Sequence, residues 1–541
     1  MIKIRKQDFL KGSLILMLSA AAAKVLGAVF KIPLTNMLGG VGMSYFSCAY
    51  SLFLPVYALT VTGISSAAAR LTAQASALGL YGDVKRIRRV ALAIFSAVGA
   101  FGSGLVFLLA RPFSVFSAGG TEAAPAIAVI APSVFFGCIT AVERGCYEGL
   151  NDMYPTAVSQ VIEGAVRVGA GLWLCSYALG HSDALAEYLP FAVDERALAA
   201  AAGMLGVTLS SAAAALFFAL ARLFAVRDKT GGECAQSTGD IARELLSTAL
   251  PTGLGAVVTN LTAVIDMWTV IWCISHFGGY EAPVGTDASD VPQFVYGSFA
   301  GIAITVFNLV PSVTNMLGKG ILPCVAEAWT SKDFSSLAER SEQALYTAAV
   351  IAVPAACGMG VLSGEVLGVL FPRQSDEVEI CVGAFRYMMP GMVFLCVSFP
   401  LFSMLQAIGR AGTPLKIMSA GTIVKLAGNM LLIPVMGVEG AAVSTSVCYG
   451  VILTAAAFAY FRASCISVDY RPFVSLAYSG TMCTGAAWLT ADICRRAGLG
   501  SIAVILAAAF FGGGAYFLSL WLSSGRTGLG VLKGAGGHGI H

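Results

Sequence analysis

Read for its apolar and polar positions, the chain is a succession of long apolar runs separated by short polar breaks. At about 1.5 Å of rise per residue, an α-helix needs roughly 20 apolar residues to cross the hydrocarbon core of a bilayer. Runs of that length predict spanning helices at 12–37, 43–75, 90–111, 123–145, 155–180, 197–225, 245–273, 294–325, 342–371, 382–407, 415–434, 438–461, 472–493 and 500–522, which makes fourteen. A transmembrane barrel would instead show alternating segments of about ten residues. These runs are continuous and rich in Ala, Leu, Val and Gly, so the expected fold class is all-α, a polytopic integral membrane protein.

The first run needs separate treatment, because MIKIRK followed by apolar residues and LSAAAAK imitates a secretory signal. The apolar stretch continues past the apparent cleavage point, through VLGAVF to Leu34, and reads as a retained first spanning helix.

Composition reinforces the pattern. Of 541 residues, 57% are hydrophobic and 12% charged, with a mean hydropathy of +0.80, which is more apolar surface than one water-soluble core can bury. The connections differ in charge. One alternating set, with the termini, carries Lys3, Arg5, Lys6, Lys85, Arg86, Arg88, Arg89, Arg144, Arg222, Arg227, Lys332, Arg340, Arg410, Lys416, Arg462 and Arg471. The other carries few cations, Arg495 and Arg496 among them, beside acids such as Asp183, Glu187, Asp287 and Asp376. By the positive-inside rule both termini are expected in the cytoplasm, in the cell membrane of a multi-pass protein, with Arg495 and Arg496 the local violation.

No metal or cofactor site is read from the chain. The 14 cysteines are scattered through apolar segments with no CxxC pair, and His181, His276, His538 and His541 fall in expected loops or the tail. The Gly-rich end, GRTGLGVLKGAGGHGIH, has the composition of a disordered tail.

Two stretches overlay. APSVFFGCITAVERGCYEGLNDMYPTAVSQVIEGAVRV (131–168) meets MPGMVFLCVSFPLFSMLQAIGRAGTPLKIMSAGTIVKL (389–426), pairing Pro132 with Pro390, Cys138 with Cys396, Glu148 with Gln406 and, after a one-residue shift, Pro155 with Pro414. The shift closes so that Arg167 meets Lys425. Each copy reads as a spanning helix, a cytoplasmic turn and a second helix carrying one cation. An even number of spans separates them, as in a parallel repeat. The parsing is an N-terminal lobe at 1–225, a cytoplasmic linker at 226–244, a C-terminal lobe at 245–462, a further helix pair at 463–524 and a cytoplasmic tail at 525–541.

Charges inside spans cost about 2.5–3.5 kcal/mol each on insertion scales and ask for a partner or an aqueous cavity. Lys24 and Lys31 lie seven apart, on nearly one face of the first helix. Arg70, Arg167, Lys319, Arg386 and Lys425 are further cations in spans, and Glu163, Asp266 and Glu365 are the acids. Glu163 and Arg167 have the i, i+4 spacing of a helix-surface ion pair. Arg70 and Arg386 are near enough to helix ends to snorkel. Lys24, Lys31 and Lys425 have no acid within one turn of their own helices, and a bond between Asp266 and Lys425 within the second lobe is the proposed neutralisation. An excess of cations around a cleft suits an anionic, phosphate-bearing substrate. Pro55, Pro251, Pro311 and Pro354, with nearby glycines, interrupt long helices where bends or close packing are needed.

KVLGAVFKIPLTNMLG (24–39), RGCYEGLNDMYPTAVSQVIEGAVRV (144–168), LPTGLGAVVTNLTAVID (250–266) and LQAIGRAGTPLKIMSAGTIVKLAGN (405–429) resemble the stage V sporulation protein B type of polysaccharide exporters. These belong to the multidrug/oligosaccharidyl-lipid/polysaccharide flippase superfamily, which includes lipid II flippases. The likeness runs through about residues 10–460. It implies fourteen helices in two pseudo-symmetric lobes that open alternately around a cationic cavity, with Lys24 and Lys31 at positions where the family carries basic residues. In lipid II flippases an arginine precedes the proline of the eighth helix. Here GIAITVFNLVP, ending at Pro311, has no basic residue, which leaves the carried sugar open.

The functional expectation is a transporter, not an enzyme, that flips a lipid-linked saccharide of the undecaprenyl-phosphate type. Lys24, Lys31, Arg167 and Lys425 would bind the head group, and Arg70, Glu163, Asp266 and Lys319 are possible supporting charges. Membrane lipids are the other partners, no nucleic acid is expected, and the chain is expected to be a monomer. A drug or cation antiporter of the same superfamily is the alternative and would want embedded carboxylates instead. A membrane glycosyl- or acyltransferase lacks a clustered Asp/Glu motif and an extramembrane domain here. The remaining alternative is a non-transporting assembly partner in envelope or spore-coat formation.

Overall fold

A computed structural model describes residues 9–182, 184, 194–224, 237–280, 283, 287–466 and 471–523. Among these residues the structure is helical throughout, without strands. Helices α1 (Phe9–Tyr57), α2 (Gly63–Ala77), α3 (Tyr81–Ala118), α4 (Ala124–Ile130), α5 (Pro132–Gly149), α6 (Tyr154–Gly180), α7 (Glu195–Phe224) and α8 (Thr238–Phe277) come first. They are followed by α9 (Val291–Ser298), α10 (Ile304–Phe307), α11 (Leu309–Thr330), α12 (Phe334–Val361), α13 (Ser363–Leu370), α14 (Ser375–Ala407), α15 (Gly412–Met436), α16 (Val438–Ser464), α17 (Arg471–Arg496) and α18 (Ser501–Ser523).

Ten helical stretches among the described residues are long and apolar enough to cross a membrane, against the fourteen spans expected. The first, Leu18–Ala77, covers 60 residues and is broken at Gly39 (φ 65°, ψ −176°), a left-handed position that glycine adopts without steric cost. Helices α6, α8 and α17 fall outside those ten but have 27, 40 and 26 residues, sufficient length to span. Phe101, Leu108, Val435, Phe510, Phe517 and Trp521 are all more than 60% exposed, a surface that requires a lipid solvent.

Prolines stand at breaks in two of the expected single helices. The span read at 294–325 is three helices: a π-turn at Phe299–Ala303 and a break at Asn308 separate them. Pro311 lacks an N–H and its ring crowds the carbonyl four residues back, at Phe307, which accounts for the second break. Pro132 likewise stands at the start of α5 after the break at Ala131.

The packing divides the chain into two compact units, Met1–Ile271 and Trp272–His541. Most of α8 therefore belongs with the first unit. Its Ile241, Leu245 and Ala249 are buried in one cluster with Ile64, Leu71, Ile87 and Val142. Residues 238–244, read as linker, are the opening turns of α8. The Ser237 hydroxyl accepts the Asp240 N–H at 3.1 Å and donates to its carboxylate at 2.7 Å, an N-cap that starts the helix early. Residues 225–236 of the linker, and the tail 525–541, lie outside the described residues.

Each unit contains the same turn geometry. In the first, α5 ends with Asp152 N–H on Tyr147 O and Asn151 N–H on Glu148 O, with Asn151 at φ 59°. In the second, α14 ends with Arg410 N–H on Leu405 O and Gly409 N–H on Gln406 O, with Gly409 at φ 83°. These are paired Schellman caps at positions that the sequence overlay equates. The turns after α2 and α11 match in the same way, through Gly79 (φ 74°) and Lys332 (φ 57°). Helices α17 and α18 pack on each other and on α12 and α13 of the second unit.

Within the first unit, α6 lies against both α1 and α7. A Cβ on Gly206 would overlap Gly171 Cα, and one on Gly171 would press on the Phe30 ring, so two glycines set how closely three helices meet. Leu26 covers Gly164 in the same seam, fixing which face of α1 is turned toward α6.

Candidate functional site

Those contacts orient the two lysines of α1. At 3.6 residues per turn, Lys24 and Lys31 stand roughly 120–160° around the helix from the Leu26–Phe30 face packed on α6. Lys24 is exposed and Lys31 half-buried. After the break at Gly39, the second half of α1 carries a ladder of Phe46, Tyr50, Phe53 and Tyr57, with successive ring centroids 4.9–6.0 Å apart. Tyr50 and Tyr57 lie within electrostatic reach of Arg167 on α6.

Arg167 is not a free cation. Its Nη2 donates to Glu163 Oε1 at 2.8 Å, the i, i+4 pair expected from spacing. Glu163 accepts a second arginine through Oε2, Arg144 Nη2 of α5, at 2.9 Å, while Arg144 Nε donates to Ser159 Oγ at 2.9 Å. Two arginines and one carboxylate leave this group a formal +1, where the i, i+4 pair expected from spacing would be neutral. Arg167 Nε is buried with no hydrogen-bond partner, so the guanidinium keeps unspent donor capacity.

Lys425 is 3% exposed on α15, and its carbonyl accepts the Ser444 hydroxyl at 3.0 Å. Asp266 is 5% exposed on α8 and falls in the first unit, whereas Lys425 falls in the second. Lys24, Lys31, Lys425 and Asp266 each make at least one polar or electrostatic contact within the protein. The absence of an acid one turn away on the same helix is therefore not the absence of a partner. Arg70 is exposed and bonded to Glu244 at 3.3 Å, the arrangement of a surface pair. Lys319 lies on α11, with its side chain outside the described residues.

The strongest ionic cluster was passed over in the sequence. Glu143, 1% exposed on α5, receives Arg88 from α3 and Arg222 from α7, and the Arg88 guanidinium also lies 5.4 Å from the Tyr147 ring centroid. Sequence reading assigns all three neighbouring arginines, Arg88, Arg144 and Arg222, to the loop charge bias. The available signal was the doublet Glu143–Arg144 inside an expected span: successive residues point about 100° apart and so serve different neighbours.

The violation at Arg495 and Arg496 also has a local cause. Arg495 Nε donates to Glu365 Oε1 at 2.6 Å, and Arg496 pairs with Asp492 at 2.8 Å. Arg386 donates to Ser363 beside them. Burial pushes the Glu365 carboxyl up, but the hydrogen bond and charge of Arg495, with the charge of Arg386, hold it net below its ordinary 4.5. A carboxyl depressed in the folded state contributes stability above the unfolded pKa and loses it as pH falls through the folded one. Thermal stability in detergent is expected to fall as pH drops below about 4.5, and Glu365→Gln to flatten that part of the profile. An unchanged acid limb in the variant would show that the pair contributes nothing.

Comparison with known proteins adds to this geometry. The chain is 25% identical over 444 residues to stage V sporulation protein B of Bacillus subtilis (strain 168), covering 81% of each protein. It is 22% identical over 452 residues to the lipid II flippase MurJ of the same organism, covering 81% of this chain and 80% of that one. Its fold matches a lipid II flippase MurJ in an inward closed conformation with a TM-score of 0.68 at 14% identity, over 94% of this chain and 99% of the other. An inward-facing multidrug resistance MATE transporter of the MOP superfamily matches with a TM-score of 0.61 at 15% identity, over 83% and 97%. The chain is thus a multi-pass membrane protein of the flippase and transporter kind rather than an enzyme. The family model described as lipid II flippase MurJ matches residues 50–491, most of the 541, and the chain belongs to that family.

Proposed function

We propose that the protein flips a lipid-linked oligosaccharide or peptidoglycan-type precursor across the cytoplasmic membrane by alternating access, with the diphosphate of an undecaprenyl carrier bound by Lys24, Lys31, Arg167 and Lys425. The observation that carries this reading is the placement of Lys24 and Lys31 on one face of α1, turned away from α6. Arg167 adds a planar donor set suited to phosphate oxygens. Lys425 enters because the repeat equates it with Arg167. The relative named as a lipid II flippase is consistent with a diphosphate-linked cargo. The loop charge bias supports cytoplasmic termini.

The test reconstitutes the purified protein in liposomes and follows transfer of a labelled undecaprenyl diphosphate disaccharide beside a cationic dye. Transfer of the lipid is the expected result. The MATE-like fold favours the second reading, a cation or drug antiporter. Transport of the dye without the lipid would establish that reading in place of the first.

A further inference from the structure

Glu163 sits between the cation assigned to the head group and a second arginine that has no such assignment. We infer that Glu163 is an internal counter-ion for Arg167, which the phosphate of the cargo displaces, and that Arg144 is the positioning residue that holds Glu163 once Arg167 has moved. The inference rests on the head-group reading above.

The geometry has the required parts. Each carboxylate oxygen of Glu163 serves a different arginine, at 2.8 and 2.9 Å. Arg144 is tied a second time, by Nε to Ser159, whose hydroxyl donates to Thr156 O. Ser159, Glu163 and Arg167 all stand on α6, each one turn from the next, so Arg144 reaches from α5 onto the same stripe. Arg144 and Glu163 each have a side chain 17% exposed, and Arg167 one of 27%. The most accessible member is therefore the one that must exchange partners. Its Nε, buried and unbonded, is a donor that an incoming phosphate can use in addition to Nη2.

Charge balance makes the exchange workable. Without Glu163, two arginines would face each other across a low-dielectric seam and bind a diphosphate too firmly for release. With Glu163 shared, Arg167 is neutralised when no cargo is present, and Arg144 neutralises Glu163 when cargo is bound. The repeat differs in sequence at this place: Lys425, the repeat equivalent of Arg167, has Gly421 one turn before it where Arg167 has Glu163.

Opposite effects are expected from the two partners of Glu163. In the liposome system with undecaprenyl diphosphate disaccharide, Glu163→Gln should lower the half-saturating lipid concentration about tenfold and lower the maximal transfer rate, because release slows. Arg144→Gln leaves Glu163 to Arg167 alone and should raise the half-saturating concentration by a similar factor. Glu163→Asp, which keeps the charge, should return toward wild type. A purely structural role would move both glutamine variants in one direction, so a common shift, or no shift in either, overturns the inference while the head-group reading stands. Wild-type protein that transfers no lipid overturns both.

Discussion

Liposomes containing the Lys24→Gln/Lys31→Gln protein are expected to lose transfer of undecaprenyl diphosphate disaccharide by at least two orders of magnitude. Hydrogen bonds to charged groups contribute about 1.5–3 kcal/mol each, so two cations removed from one diphosphate cost about 3–6 kcal/mol, or roughly 10²–10⁴-fold. The lysines stand away from the Leu26–Phe30 seam that packs α1 on α6, so the helix should insert and pack as before. Unchanged melting behaviour with lost transfer is the expected combination. Transfer within threefold of wild type would remove the two lysines from the head-group site. Single substitutions should give intermediate losses, since either remaining lysine still offers a charge to one phosphate.

The largest effect on stability is expected at Glu143. Removing one partner of a buried ion pair costs about 3–5 kcal/mol, because the remaining charge stays desolvated. Here the side chains of Arg88 and Arg222 are 27% and 41% exposed and can partly reach water, so Glu143→Leu should cost about 2–3 kcal/mol, near or below the low end of that range. The first unit also loses a carboxylate that joins α3, α5 and α7. A lowered melting temperature in detergent reads the effect, and replacing Arg88 and Arg222 by leucine as well should recover most of it. Additive losses across the three substitutions would show that no ionic triad operates. The second unit already contains the apolar solution at the equivalent place. Leu401, where the overlay puts Glu143, is buried with Met404, Leu405, Ile452 and Tyr460. The Tyr460 hydroxyl there lies 2.7 Å from Ser341 Oγ.

The legible part of the site was the part carried by a single helix. Lys24 and Lys31 share a face because seven residues make nearly two whole turns, and Glu163 with Arg167 follows from a spacing of four. Arg144 as the second ligand of Glu163 was not legible, since it comes from another helix and reads as an ordinary loop cation. Glu143 was hidden for the same reason, with its two arginines 55 residues before and 79 residues after it. Arg495 illustrates the converse: its place against the charge bias was visible, and its neutralisation by Glu365, 130 residues earlier, was not.

The sequence by itself determined an all-helical membrane protein, because apolar length and loop charge are local properties that a bilayer reads directly. It also determined the internal repeat: matched turns such as Asn151 and Gly409 depend on local backbone preferences that survive when side chains diverge. Tertiary structure alone decided where α8 belongs, since the contacts of Ile241, Leu245 and Ala249 outweigh any boundary suggested by polarity. It alone decided which cations find an acid on another helix. A charge in a low-dielectric interior is settled by whatever acid packing brings within about 3 Å, and for Arg167 that packing made Glu163 a carboxylate shared with Arg144.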